Sequence, residues 1–339
     1  MKIMMIEPGP TQSVADVHNG IMYGLQSHGL QVASFNLADR LNFYQSVEIN
    51  REGEYKQALE YEAACSMASQ GILAAAWKFL EAGDVVLIMS SFFIPPDIYK
   101  ALRGRGVHVV LWLTECPYED TRQIPMASHA DTVIVNDPQH LDEFRALNPN
   151  CHYIPHGYLP HIHHARNRTG QYPFSFVGTG YPSRVEFFEK VDWPCTPVFG
   201  GNWFQVEDTS PLAPFLLHER GVCIDNHQAA DLYRSSITSA NLYRKEAMDD
   251  NDIEGWAIGP REVELAACGT YFAREPRAEG DELFPMLPTF TEPGELSDIV
   301  RWALDHPDER FAAAQAARAA VAGRTFENNA AALLRHIGA

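Results

Sequence analysis

Two apolar runs constrain the fold of this chain more than any other feature. Asp84–Met89 reads DVVLIM and Val107–Leu113 reads VHVVLWL, so both are apolar at nearly every position. Successive side chains of a strand point to opposite faces of its sheet, and a strand that is apolar on both faces is buried on both. This is the position of a strand in a parallel sheet covered by helices. The two runs therefore predict such a sheet.

Strand-like and helix-like segments alternate through both halves of the 339 residues. This rhythm predicts an α/β chain with two Rossmann-like, doubly wound domains that face a central cleft. We predict an N-terminal domain over 1–158, a linker rich in His, Arg, Gly and Pro over 159–172, and a C-terminal domain over 173–339 whose last helix packs back on the first domain. Residues 51–82 are predicted to be helical, and Val222–Ile224 to be a strand.

The composition excludes several classes of function. The net charge of −18 argues against a general nucleic-acid or anionic-membrane partner. The six cysteines are scattered without a C-x-x-C pair, which favours a reducing cytoplasm. The apolar start is too short for a signal peptide, and no apolar run approaches the ~20 residues of a membrane helix, so we expect no integral membrane association.

The most informative stretch for function reads GPREVELAACG, from Gly259 to Gly269. Glycine suits an N-cap, Pro260 suits the first helical position, and Gly269 can end the helix. The start of a helix favours an anion, and Arg261 adds a planar set of donors that suits phosphate oxygens. Glu264 is placed to accept from sugar hydroxyls. The stretch predicts a site for the diphosphate and ribose of a nucleotide-sugar, and the alternative is a surface Arg–Glu pair at a helix start.

A second loop offers further donor-binding residues. Gly178-Thr179-Gly180 follows a predicted strand and leads into a helix that carries Arg184 near its start. A Gly-rich turn at a helix N-terminus can approach a pyrophosphate closely, although the spacing is a weak NAD fingerprint. The alternative is an ordinary strand–helix turn with a solvent-facing arginine. Three residues that close a later strand are also expected to line the donor pocket: Asn241, Tyr243 and Arg244.

The acceptor-side and catalytic candidates all lie in the first half of the chain. Polar groups just after a buried strand are well placed for catalysis, so Glu115 is predicted as a base or acceptor ligand. His18 is the second catalytic candidate, and its alternative is a surface position on the first helix. Four residues are predicted to contact the acceptor or face the cleft: Gly9, Asn19, Tyr118 and His156.

Two patterns that resemble metal ligands are interpreted otherwise. Five histidines cluster around an irregular segment without a carboxylate at ligand spacing: His152, His156, His161, His163 and His164. The D-x-D of Asp250-Asn251-Asp252 lies in a very acidic stretch that is better explained as a loop. We predict no metal site.

Three segments resemble the C-terminal half of the CgeB-like (spore maturation type) glycosyltransferases of the GT-B class. They read FSFVGTGYPSR, DLYRSSITSANLYR, and PREVELAACGTYF followed by DELFP. Residues 154–158 (IPHGY) are similar to the crossover segment between the two domains of retaining GT-B transferases. The chain departs from the usual pair of glutamates eight residues apart, because Glu254 and Glu264 are separated by ten.

The resemblance implies sugar transfer from a nucleoside-diphosphate donor to an acceptor hydroxyl, with retention of configuration and without a required cofactor or metal. It implies Glu264 on the ribose, with Arg184 and Arg261 near the diphosphate. The acceptor would be a glycan, a protein or a small molecule. Two alternatives remain open at this stage: a nucleotide-sugar epimerase that uses the same donor site, and a non-catalytic binding protein that kept the fold.

Overall fold

The computed structural model describes residues 1–9, 12–46, 61–90, 92–166, 170–246 and 255–339. The chain forms two compact units. The first unit comprises Met1–Pro155 together with Phe326–Ala339, and the second comprises His156–Thr325. The segment predicted as a linker, 159–172, lies within the second unit.

The first unit is built on a six-stranded parallel sheet with the order β2-β1-β3-β4-β5-β6. The strands are β1 (Lys2–Ile6), β2 (Gln31–Phe35), β3 (Val85–Met89), β4 (His108–Trp112), β5 (Thr132–Val135) and β6 (Cys151–Tyr153). Every residue of β3 is buried, as its continuous apolar run predicts.

Helices connect these strands. They are α1 (Gln12–Ser27), α2 (Leu37–Ser46), α3 (Tyr61–Phe79), α4 (Pro96–Gly104), α5 (Asp120–Gln123) and α6 (Leu141–Leu147), with a 3₁₀ helix at Ile124–His129. Helix α3 accounts for most of the predicted helical segment 51–82, and residues 51–60 lie outside the described residues. The core of the unit lies where α3 and α4 pack on the sheet, with Ile72, Ile88 and Leu102 fully buried.

The second unit has a four-stranded parallel sheet with the order β10-β9-β7-β8. The strands are β7 (Tyr172–Val177), β8 (Pro197–Gly200), β9 (Ser236–Asn241) and β10 (Tyr271–Arg274). The helices are α7 (Pro182–Glu189), α8 (Asn226–Ser235), α9 (Pro260–Ala267), α10 (Ala278–Leu283), α11 (Pro293–Asp305) and α12 (Pro307–Ala320), with a 3₁₀ helix at Ala213–Phe215. Aromatic rings fill the core, including Phe176, Phe188, Phe199 and Trp203.

The last helix, α13 (Phe326–His336), packs on α1 of the first unit. Two glycines of α1 permit the close approach, because a Cβ at Gly20 or Gly24 would lie closer than 3.0 Å to Phe326. Asn329 donates to the carbonyl of Pro155 at 2.9 Å, and His336 stacks on His152 with ring centroids 3.8 Å apart. These contacts hold the end of the chain on the first unit.

The prediction of a strand at Val222–Ile224 is wrong, because these residues have no regular structure. Val222 is exposed, and so is Cys223, so the short run has no face to bury. A single bridge to β8 comes instead from Leu216, which pairs with Phe199. Helices α2, α5 and α10 are not predicted from the sequence, and two of them are short, α5 with four residues and α10 with six.

Candidate functional site

The candidate site lies at the carboxyl end of the second sheet. Strands β7, β9 and β10 are neighbours and run parallel, so the segments that follow them meet at one edge. Ligands of doubly wound sheets bind at this edge. The site contains the loop after β7, the loop after β9 and the start of α9.

Arg261 is anchored at this edge, on the second residue of α9. Its Nη1 donates to Oδ1 of Asn241 at 2.9 Å, and its guanidinium carbon lies 4.9 Å from the ring centroid of Phe176. The Nε of Arg261 and the Nδ2 of Asn241 are buried and have no hydrogen-bond partner among the described residues. Unpartnered buried donors are costly and rare, and two of them on a hydrogen-bonded pair of residues indicate a place for an acceptor.

The two glycines of the Gly178-Thr179-Gly180 loop make room for side chains of the protein itself. A Cβ at Gly178 would lie closer than 3.0 Å to the Nη2 of Arg261, and a Cβ at Gly180 would lie as close to the ring of Trp203. The structure thus gives the glycines a packing role. Gly178 sets how near Arg261 comes to the end of β7.

Arg184 binds backbone carbonyls. Its Nε and Nη2 donate to the carbonyl of Leu242 at 3.0 and 2.7 Å, and its Nη1 donates to the carbonyl of Thr179 at 3.0 Å. The side chain is buried, with the rings of Phe176 and Tyr181 beside it. Arg184 therefore ties the loop after β7 to the loop after β9, and its contact with a diphosphate stays a prediction.

The N-terminus of α7 carries a carboxylate of the protein. Glu246 accepts from the backbone N–H of Ser183 at 2.9 Å and from its hydroxyl at 3.0 Å. Burial would raise the pKa of Glu246, but the hydrogen bonds from Ser183 and nearby backbone groups lower it. This helix end attracts an anion, and Glu246 supplies one.

Glu262 is the buried acid of the site. Its Oε2 accepts from the N–H of Gly259 at 2.8 Å and from the hydroxyl of Tyr243. Burial raises the pKa of Glu262 to about 7, against the effect of these hydrogen bonds. The guanidinium carbon of Arg277 lies 3.7 Å from the ring centroid of Tyr243. Glu262 therefore joins the start of α9 to the loop after β9, where Arg244 also lies half-buried.

Glu264 lies one turn along α9, and its side chain is 16% exposed. The hydroxyl of Tyr233 donates to its Oε2 at 3.4 Å, and Nε2 of His163 lies 4.0 Å from its Oε1. The sequence did not predict that His163 lies beside Glu264, because the histidine was considered only as one of a cluster. The one available signal was the density of histidines just before β7.

The candidates in the first unit occupy separate positions. His18 is buried rather than on the helix surface, with its ring nitrogens 3.4 Å from Ser34 Oγ and from Asn19 Oδ1, and burial lowers its pKa. Gly9 is buried with a φ of 91°, and a Cβ there would lie closer than 3.0 Å to the ring of Phe93. Gly9 thus follows the carboxyl end of β1, and His18 contacts Ser34 of the neighbouring strand β2.

Glu115 and Tyr118 are half-buried in the segment after β4. The sheet order places β3 between β1 and β4, so this pair follows a different strand from Gly9. The buried acid of the segment is Asp120, whose Oδ2 lies 2.9 Å from Nδ1 of His140. Burial raises the pKa of Asp120. Twenty residues separate the two partners, so no local spacing predicts the pair.

His156 belongs to the second unit, where burial, together with Arg324 and Arg277, lowers its pKa to about 4. In the part of the chain that the structure describes, no group of three or more His, Cys, Asp or Glu side chains could hold a metal ion. Asp250-Asn251-Asp252 and Glu254 lie outside the described residues. Among the described helices, none combines the length and apolar character needed to cross a membrane.

Comparison with known proteins gives matches at the levels of family, sequence and fold. A family profile described as glycosyl transferase-like matches residues 161–335. Spore protein CgeB of Bacillus subtilis (strain 168) is 23% identical over 245 residues, which are 69% of this chain and 76% of that protein.

The similar solved structures include trehalose-phosphate synthases. One described as trehalose-6-phosphate synthase, OtsA, has a TM-score of 0.65 at 10% identity and covers 100% of this chain and 99% of its own. The UDP-forming α,α-trehalose-phosphate synthase from Burkholderia xenovorans, in complex with glucose-6-phosphate, has a TM-score of 0.64 at 10% identity, with full coverage of both chains. At this identity the likeness shows the fold alone. It confirms the predicted α/β architecture of the GT-B class.

Proposed function

The chain belongs to the glycosyl transferase-like family, and on that premise we propose that it transfers a sugar from a nucleoside-diphosphate donor to an acceptor hydroxyl. The observation that carries this proposal is the anchored guanidinium of Arg261. It lies at the carboxyl end of β7 and β9, on the first turn of α9, with unpartnered buried donors on Arg261 and on its partner Asn241.

Loss of the sugar leaves a negatively charged nucleoside diphosphate, so the site must stabilise that charge. Arg261 supplies a fixed cation, and the first turn of α9 adds backbone N–H groups and partial positive charge. Because Asn241 and the ring of Phe176 already hold the guanidinium, little reorganisation is needed when the charge develops. Arg184 fixes the two loops between which Arg261 lies, and its contact with the diphosphate is proposed in addition.

Glu264 is proposed to accept hydrogen bonds from the ribose hydroxyls. It is one turn along α9 from Arg261, its carboxylate is partly exposed, and Tyr233 holds one of its oxygens. A carboxylate has about four lone-pair sites, so it can accept from Tyr233 and from two hydroxyls at once.

Retention of configuration and independence of metal also belong to this proposal. One similar structure is described in terms of enzymatic glycosyltransfer with retention, and another is described as bound with UDP-2-fluoro glucose. The cationic and helix-end groups named above can stabilise a leaving diphosphate, which is the role a divalent cation plays in other transferases. We propose retaining chemistry for this chain by analogy with the first of those structures.

The acceptor is proposed to be a glycan, a protein or a small molecule, and the reaction to take place in the cytoplasm. The net charge of −18 argues against a nucleic-acid acceptor. All six cysteines are free thiols, which suits a reducing compartment.

Arg261→Ala tests the diphosphate site. We expect isothermal titration with UDP, GDP, ADP and dTDP to show about a 10- to 100-fold loss of affinity for the nucleotide that binds best, since a hydrogen bond to a charged group contributes about 1.5–3 kcal/mol. Arg301→Ala is the matched control, because Arg301 is an exposed arginine paired with Asp298 on α11. Equal affinity of Arg261→Ala and wild type would remove Arg261 from the site.

Mass spectrometry of the reaction separates transfer from the alternatives. The protein is incubated with a panel of nucleotide-sugars, with and without candidate acceptors. We expect a glycosylated acceptor and free nucleoside diphosphate only when the acceptor is present. An epimerised nucleotide-sugar formed without acceptor would contradict the transferase, and failure to bind any nucleoside diphosphate would favour a non-catalytic binding protein.

A further inference from the structure

We propose that His163 positions the carboxylate of Glu264 for ribose recognition by donating its Nε2–H to that carboxylate when a nucleotide is bound. This inference rests on the proposed function, because it assigns a partner to the proposed ribose ligand. It gives a role to the histidine-rich segment before β7, which the proposed function leaves without one.

The backbone around His163 fixes the orientation of its ring. The N–H of His163 donates to the carbonyl of Leu159 at 2.7 Å, and the N–H of Leu159 donates back to Nδ1 of the ring at 3.4 Å. A neutral imidazole carries one proton, so acceptance at Nδ1 places that proton on Nε2. Nε2 is therefore a donor, and it lies on the side of Glu264.

The surroundings keep the ring neutral. The side chain is only 1% exposed, and burial lowers the pKa of His163 to about 3, with further contributions from Arg234, His161, His227 and His164. His163 thus faces Glu264 as a neutral donor. Their interaction is a prospective hydrogen bond rather than an ion pair.

Helix α8 carries one donor to Glu264, the hydroxyl of Tyr233, and holds the segment that carries the other, His163. Arg234 is buried on α8 and donates from Nη1 to the carbonyl of Ile162 at 2.7 Å, which holds the residue before His163. The preceding residue, Tyr233, donates its hydroxyl to Oε2 of Glu264. Helix α8 therefore supplies Tyr233 itself and a backbone anchor next to His163, and the two donors face different oxygens of the carboxylate.

The Nε2–H of His163 lies near Glu264 but makes no hydrogen bond to it in this structure. Its Nε2 is buried without a hydrogen-bond partner among the described residues, and 4.0 Å separates it from Oε1 of Glu264. A hydrogen bond needs about 2.7–3.2 Å, so a shift of about 1 Å by the carboxylate would close it. Ribose hydroxyls that bind the exposed side of Glu264 would favour this orientation, and the donor that is costly while unpaired would then be satisfied.

The test compares each nucleoside diphosphate with its 2′,3′-dideoxy form on the full chain. Isothermal titration of wild type is expected to show tighter binding of the ribose form. His163→Leu removes the donor and should weaken binding of the ribose form by about five- to tenfold, the worth of one hydrogen bond, while the dideoxy form binds as before. His163→Gln keeps an N–H at a similar reach and should retain most of the discrimination. His161→Gln is the control within the same segment.

The ring protons of wild-type His163 provide a measurement that needs no variant to fold. In ¹⁵N-labelled protein, the Nε2–H resonance is expected to be present without ligand and to move downfield with the ribose nucleotide but not with its dideoxy form. A ring protonated on Nδ1, or an Nε2–H resonance that the ribose form leaves unmoved, would overturn the assignment.

The outcomes distinguish this inference from the proposed function. If wild type binds no nucleoside diphosphate, the proposed function fails. If wild type discriminates ribose from dideoxyribose and His163→Leu discriminates equally well, only the role of His163 fails. If His163→Leu weakens both nucleotide forms equally, the histidine supports the fold and does not position Glu264.

Discussion

Trp203 packs its ring against Gly180, and the indole N–H donates to the carbonyl of Gly200 at 3.0 Å. The ring also belongs to an aromatic cluster with Phe176, Phe188 and Phe199. At the scale of single residues, the loop after β7 is therefore held by the core beneath it. Close packing in the core therefore supports the site.

Gly180→Ala should destabilise the second unit. The added methyl group would meet the buried ring of Trp203, and overpacking of this kind costs about 1–3 kcal/mol. Urea denaturation followed by circular dichroism measures the change in the free energy of unfolding. Gly221→Ala is the matched control, since a Cβ there meets nothing within 4 Å. Equal stability of the two variants would show that Trp203 does not restrict position 180.

At the scale of elements, two helix starts meet the same edge of the sheet. Helix α9 begins with Glu262 bonded back to the N–H of Gly259, which is a cap within the helix itself. Helix α7 receives its carboxylate from Glu246, which lies 63 residues further along the chain. The cap of α7 therefore comes from a separate loop, whereas the cap of α9 comes from its own first turn.

Glu246→Ala should strengthen the binding of nucleoside diphosphates if their phosphates use the start of α7. Removal of the competing carboxylate should raise the affinity about two- to fivefold, as expected for a charge of about 0.3–1 kcal/mol at a helix terminus. Isothermal titration at low salt is the measurement. Glu186→Ala, an exposed glutamate of the same helix paired with Lys190, is the control. Unchanged affinity would show that the phosphates do not bind at the start of α7, which leaves the start of α9.

At the scale of the whole molecule, two buried titratable groups are expected to make the free energy of unfolding depend on pH in opposite ways. His163 has a lowered pKa of about 3, so its contribution is present above pH 6.5 and is lost as the pH falls. Glu262 has a raised pKa of about 7, so its contribution is present below pH 4.5 and is lost as the pH rises. Both belong to the second unit, and their effects oppose each other between pH 5 and 6.

Removal of His163 and removal of Glu262 should therefore change the pH dependence of the free energy of unfolding in opposite directions. Relative to wild type, we expect His163→Gln to gain about 1.4 kcal/mol in the free energy of unfolding for each pH unit of acidification from 6 to 5, and Glu262→Gln to lose a similar amount. Urea denaturation at pH 5, 5.5 and 6 measures both. Parallel profiles for the two variants and wild type would show that neither group changes its pKa on folding.

The sequence by itself determined the α/β architecture, the resemblance to the CgeB-like transferases, and the position of Arg261 on the first turn of a helix. These features depend on local periodicity, on turn residues and on short motifs, which neighbouring residues encode. The continuous run that became β3 and the Gly-Pro start of α9 are examples.

Only the tertiary structure decided which groups meet. Arg184 donates to the carbonyl of Leu242, and Glu246 accepts from the first turn of α7. His163 faces Glu264, which lies 101 residues further along the chain. Packing of the parallel strands and of α8 brings these partners together, and no local pattern encodes the distance between them. The chemical character of the site was therefore readable from the chain, whereas its hydrogen bonds depended on the fold.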